Sequence, residues 1–190
     1  SSQLYDIRIP LFLMIMALVL ALSLSTSSEE RGEMRTLLST ATSRTSLFIQ
    51  TMIAAMIIFA VTISSTILVT ILTVPMINES IDILLVFKLA ALSFIFAMMM
   101  FAIVYSIGIG TGSRSLVMSI GVGLIVISII LEAGRTVDWL DLAQKVSLLH
   151  YYDASKLLTD GLNFKHLAVQ IGLLVIMPLA GWLRFRNRDI

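Results

Sequence analysis

The chain has 190 residues, of which 58% are hydrophobic and 13% charged, with a formal net charge of +1 and no cysteine. A soluble domain carries about a quarter charged residues, so this composition places the chain in a bilayer. The near-neutral balance gives no argument for nucleic acid or a polybasic lipid patch, and the absence of cysteine excludes disulfides and thiolate metal sites.

A spanning helix needs about 20 apolar residues to cross roughly 30 Å of hydrocarbon. Five stretches qualify in chain order: about 9–24, 46–74, 84–109, 116–131 and 167–183. The expected fold is therefore all-α, a polytopic membrane helix bundle forming one transmembrane domain over 1–190. The first apolar run lacks the small-residue cleavage site of a signal peptide. Since the chain opens on Ser1, the sequence reads as the C-terminal part of something longer. Pro75 is expected to stop the second span, because the residue before a proline resists the helical region. Pro178 is expected to kink the last.

Arginines set the orientation. Arg31, Arg35 and Arg44 follow span one, Arg114 follows span three, and Arg184, Arg186 and Arg188 follow span five. The connection after span two carries Glu79 and Asp82, and the connection 132–166 mixes five acids with four bases. By the positive-inside rule the arginine side is cytoplasmic, with Ser1 outside and Ile190 inside.

Between spans one and two, about 28–44, charge is concentrated. Ser27 followed by Glu30 forms a capping box, so a helix is expected to begin there. Met34, Leu37, Leu38 and Ala41 share one face at helical spacing. On the other face Glu29 lies four residues from Glu33 and Arg31 four from Arg35. Each like-charged pair costs a few tenths of a kcal/mol, and Gly32 costs about 1 kcal/mol relative to alanine. Such a helix needs compensation from outside itself: either lipid headgroups around an interfacial amphiphile, or a protein groove with apolar anchors and a charged rim.

The wording of this segment, EERGEMRTLLSTATSR, resembles the cytoplasmic signature of type-2 ABC transporter permeases: a charged Glu-Arg start, a Leu-Leu-Ser, and a closing Ser-Arg. Glu30, Arg31 and Gly32 fall on the start, Leu37, Leu38 and Ser39 on the middle, and Ser43 with Arg44 on the close. Glu33 stands where the family usually has Thr, and Ala41 where it usually has Pro. The resemblance implies a coupling helix that docks on an ATPase subunit through Glu29, Glu30, Arg31, Gly32, Met34, Arg35, Leu37, Leu38 and Arg44. It further implies six spans, the first preceding Ser1, and pairing with a second permease copy or a homologue. Ser113, Arg114 and Ser115 are similar to the family's short turn between spans four and five. The stripe Trp139, Leu142, Ala143, Val146 and Leu149 is similar to its outer amphipathic connection, here 132–166, and the RFRNRDI tail to its basic terminus.

No phosphate-binding loop of the G-x-x-x-x-G-K-[ST] type is present, so the chain is expected not to be an enzyme and to hold no cofactor. ATP and Mg would be bound by the partner ATPase. No ionisable residue lies in the middle of a span; Lys88 and His166 sit near ends. That argues against an ion-coupled carrier, and no intramembrane protease constellation appears. Thr62, Thr66, Thr70 and Thr73 make a polar stripe on span two that lines a translocation path or permease interface, or bonds back to its own helix carbonyls. Gly108, Gly110 and Gly112 read as a flexible helix end, and Ser119 with Gly123 as a small-xxx-small pair. His150 with Asp153 offers too few ligands for a metal. Met98, Met99 and Met100 face lipid or fill the core.

The functional expectation is a cell-membrane permease subunit of an ATP-driven exporter. The alternative is a non-transporting membrane scaffold that uses the same cytoplasmic helix to hold a partner. Whether the adjacent gene encodes a phosphate-binding loop separates the two.

Overall fold

The computed structural model describes residues 8–25, 44–74, 82–133, 144, 147–152, 154, 157 and 161–187. Among these, the fold is all helical: α1 (Ile9–Ser25), α2 (Arg44–Thr73), α3 (Ile83–Thr111), α4 (Arg114–Ala133), a 3-10 turn (Leu149–Tyr151) and α5 (Phe164–Arg186). Helices α2 to α5 are long and apolar enough to cross a membrane, whereas α1 has 17 residues, about 26 Å of helix. The chain is a multi-pass membrane protein.

Polar caps extend the helices past the apolar runs. Asp82 accepts from the Leu85 N–H at 3.2 Å to start α3, and Asn163 accepts from Lys165 and His166 at 3.1 and 3.4 Å to start α5. Gly112 closes α3 at φ 65°, its N–H bonding the Gly108 carbonyl at 2.7 Å. That left-handed conformation suits glycine alone at little cost, and it lets α4 begin two residues later. Helix α2 ends at Thr73, just before Pro75, and α5 runs through Pro178 without interruption.

Helix α3 is the hub. It packs against α1, α2, α4 and α5, most extensively against α5 and α1. Every residue from Phe96 to Ser106 is buried, including Met98, Met99 and Met100, which therefore belong to the core. Helix α1 contributes Leu13, Met14, Ala17, Leu18 and Ala21, a stripe at three- and four-residue spacing.

Lipid tails are as apolar as the core, so helix association in a bilayer depends on close packing, which small residues allow. Three such contacts hold the bundle. Gly108 of α3 lies on Ser25 and Val117, Gly121 of α4 lies on Leu18, and Gly181 of α5 lies on Ser106. The glycines expected to loosen the end of α3 instead seat it: Gly110 faces the aliphatic stem of Arg184. Ser119 is exposed and Gly123 meets nothing within 4 Å, so Gly121 makes the close contact on α4.

These contacts also define the ends of the bundle. Ser25, Thr45, Gly108, Val117 and Arg184 gather at one end, where Trp182 donates to Thr45 at 3.3 Å and Arg186 lies 5.1 Å from the Trp182 ring. The other end holds Arg8, Asp82 and the start of α5.

Candidate functional site

Helix α2 spans 30 residues, yet its buried side chains are Phe48, Ala55, Phe59 and Ile63. They lie on one helical face, with Phe48 5.7 Å from Tyr105 and Phe59 6.2 Å from Phe101 between ring centroids. From residue 64 to Thr73 no side chain is buried. Helix α2 is thus packed on α3 as far as Ile63, and its last ten residues stand away from it. Since α1 and α2 do not pack along one another, the separation leaves a cleft of about 540 Å³ between α1, α2 and α3.

The walls are predominantly apolar. Phe12 and Leu13 come from α1, Ile63, Ile67 and Val74 from the α2 side, and Leu85, Val86 and Leu89 from α3. Arg8 and Asp82 stand on the lining at the helix ends. No ion pair joins these two described residues.

Of the threonine stripe, Thr62, Thr66 and Thr70 line this cleft, whereas Thr73 does not. Each hydroxyl, Thr73 included, donates to the carbonyl four residues back: Ile58, Thr62, Thr66 and Val69, at 2.8, 3.0, 2.9 and 2.7 Å. Their protons are committed to the helix. What the stripe offers the cleft is methyl groups and acceptor lone pairs.

The deep wall is closed by a residue from far along the chain. Tyr152 is 3% exposed, its hydroxyl is 3.0 Å from Ser93 Oγ of α3, and its ring lies 5.2 Å from Phe96. The connection between α4 and α5 therefore dips into the bundle, and its backbone is tied on both sides. The Leu148 N–H bonds Ser128 Oγ at 3.2 Å, Ser147 Oγ bonds the Ser128 carbonyl at 3.4 Å, and Gln170 Nε2 donates to the Tyr151 carbonyl at 2.7 Å. Gln170 is fully buried, and its Oε1 has no partner among the described residues.

Removing the Tyr152 or Ser93 hydroxyl strands the other in an apolar wall. Tyr152→Phe and Ser93→Ala should each cost about 1 kcal/mol, and the double variant little more than either alone. A double-mutant cycle on unfolding in mixed micelles measures this; additive losses would mean that the pair is not formed.

Next to this tie His150 meets His166, with ring centroids 5.1 Å apart and Tyr151 edge-on to both. Asp153, the expected neighbour of His150, lies outside the described residues; among them His150 meets the other histidine. Among the described residues no group of three or more ligands could hold a metal.

The residues expected to dock an ATPase, Glu29, Glu30, Arg31, Gly32, Met34, Arg35, Leu37 and Leu38, lie outside the described residues, as does the side chain of Arg44, the first residue of α2. Of the outer stripe, Trp139, Leu142, Ala143 and Val146 also lie outside, while Leu149 is buried. Sequence reasoning found the threonines of the cleft but not Tyr152, Ser93 or the Arg8–Asp82 rim. The one available signal was polar residues, Ser93 and Gln170, within otherwise apolar runs.

The described residues thus form an apolar bundle of membrane-spanning helices with a mostly apolar cleft between α1, α2 and α3. The family described as "Multidrug efflux system permease Rv1217c, C-terminal domain" matches residues 2–186, and the chain belongs to it. No curated protein and no solved structure matches the chain.

Proposed function

We propose that this chain is the membrane-spanning subunit of an ATP-driven type-2 ABC exporter, coupled to a separate ATPase. Membership of a multidrug efflux permease family across nearly the whole chain carries the reading. With no phosphate-binding loop in the sequence, ATP and Mg belong to the partner. The bundle end that holds Ser25, Thr45, Arg114, Arg184 and Arg186 is the cytoplasmic one, in keeping with the positive-inside rule. Residues 26–43 join α1 to α2 at that end.

In this reading, closure of two ATPase subunits displaces the segment 29–44. The displacement passes as rigid-body motion into α1 and α2, which form two walls of the cleft. Two permease chains, this one twice or with a homologue, complete the transporter. Met34, Leu37 and Leu38 supply the apolar anchor, and Glu30, Arg31 and Arg35 the charged rim.

The test is reconstitution of the permease with the ATPase encoded beside it. Replacing Arg31 and Met34 together by alanine should lower co-purification and ATPase stimulation about tenfold or more, as removal of central interface anchors does. Undiminished binding and stimulation reject the docking role.

A further inference from the structure

The cleft between α1, α2 and α3 has to be filled. Its walls are apolar, its threonine protons are already bonded to the α2 backbone, and Tyr152 and Ser93 satisfy one another. Water therefore finds few partners along it, and an empty gap forfeits the dispersion contacts of its lining. Since α1 and α2 do not pack along one another, bilayer molecules reach the cleft sideways.

Its depth matches one leaflet. From Asp82 at the rim to Ser93 at the deep wall α3 rises eleven residues, about 16 Å, against roughly 15 Å for half the hydrocarbon core. The rim then lies at headgroup level and carries both signs of charge. Arg8 offers a guanidinium fork suited to phosphate, and Asp82, which uses one carboxylate oxygen on the Leu85 N–H, keeps its other oxygen. An anionic headgroup would set its charge against Asp82, and a cationic amphiphile would meet Arg8. A headgroup with phosphate and ammonium satisfies both.

We infer that the cleft between α1, α2 and α3 holds a zwitterionic phospholipid, one acyl chain against the Thr62–Thr66–Thr70 face, its phosphate on Arg8 and its ammonium on Asp82. The inference goes beyond the proposed export function and does not depend on ATP coupling.

The test uses the full chain, delipidated in detergent and given equimolar phosphatidylethanolamine and phosphatidylglycerol, with bound lipid counted by native mass spectrometry. About one phosphatidylethanolamine per chain is expected, at roughly fivefold preference over phosphatidylglycerol, the ratio one weak ion pair provides. Thr66→Trp, which fills the cleft, should reduce bound lipid about tenfold. Asp82→Asn retains a good helix cap and should abolish the preference while leaving lipid bound; Arg8→Gln should lower binding of both lipids. Should Thr66→Trp fail to fold, the Asp82→Asn result decides alone. Equal binding of the two lipids by the native chain, an unchanged preference in Asp82→Asn, or full lipid retention by a folded Thr66→Trp would each overturn the inference.

Discussion

Replacing Gly181 with leucine should separate α5 from α3 and leave a protein that melts far below the native one or does not elute as a single species from detergent. A Cβ at Gly181 would stand 2.7 Å from Ser106 Cβ, 2.8 Å from its Cα and 3.0 Å from its carbonyl oxygen. Two of those atoms are backbone of the central helix, so no rotamer change relieves the contact. Overpacking of a tight core costs typically about 1–3 kcal/mol, occasionally more. With the α3–α5 seam the most extensive in the bundle, the loss should reach or exceed the upper end. Ser106→Gly should rescue only in part, since it removes one of the three offending atoms. Gly172→Leu on the same helix supplies the contrast: nothing lies within 4 Å of its Cβ position, and helix propensity favours leucine there by up to about 1 kcal/mol. Thermal scans of the three variants settle it, and equal melting of Gly181→Leu and Gly172→Leu would deny the seam.

Phe101→Ala should destabilise by about 2–3 kcal/mol, the low end of or just below the range for buried aromatics in soluble cores. Phe101 is fully buried, stacked on Tyr105 with centroids 5.2 Å apart and an interplanar angle of 11°, and edge-on to Phe59. In a soluble protein the loss combines transfer from water with the cavity left behind. Here the separated helix would still lie in lipid, which is as apolar as the core, so the transfer contribution largely vanishes. The lost dispersion and ring contacts remain. Phe12→Ala, at 61% exposed in the native chain, should change stability by well under 1 kcal/mol. Unfolding of both in mixed micelles provides the measurement, and equal losses would contradict the difference in packing.

The five helices were legible because a bilayer imposes length and apolarity on anything that crosses it. Their ends differ from the expected ones by at most three residues. Asp82 and Asn163 are caps and Gly112 a terminator, and such polar or small residues lie outside an apolar run while belonging to its helix. The centre of the bundle was not legible. Helices α2 and α3 are equally apolar, yet 11% of the most apolar stretch of one is buried against 39% of the other. Hydropathy cannot distinguish a lipid-facing side chain from a core one. The small residues carried that information, but only in context: Gly121 makes a contact that the better-spaced Ser119 and Gly123 do not. Tyr152 and Ser93, 59 residues apart, share no local pattern that would announce them as one wall of the cleft. The threonine stripe was visible at its spacing of three and four, and three of its four members line the cleft from the α2 side.

Mechanically, α2 is a beam resting on a fulcrum. Its contacts with α3 centre near Ala55, about 16 Å from Arg44 and about 27 Å from Thr73 along the axis. Any tilt about that point moves the far tip roughly 1.6 times as far as the near end, in the opposite sense. Phe48, on the Arg44 side of that point, already bears on the ring of Tyr105, so the near end yields outward more readily than inward. A pull that lifts the Arg44 end away from α3 would therefore carry Thr70 toward α3 and narrow the cleft between them.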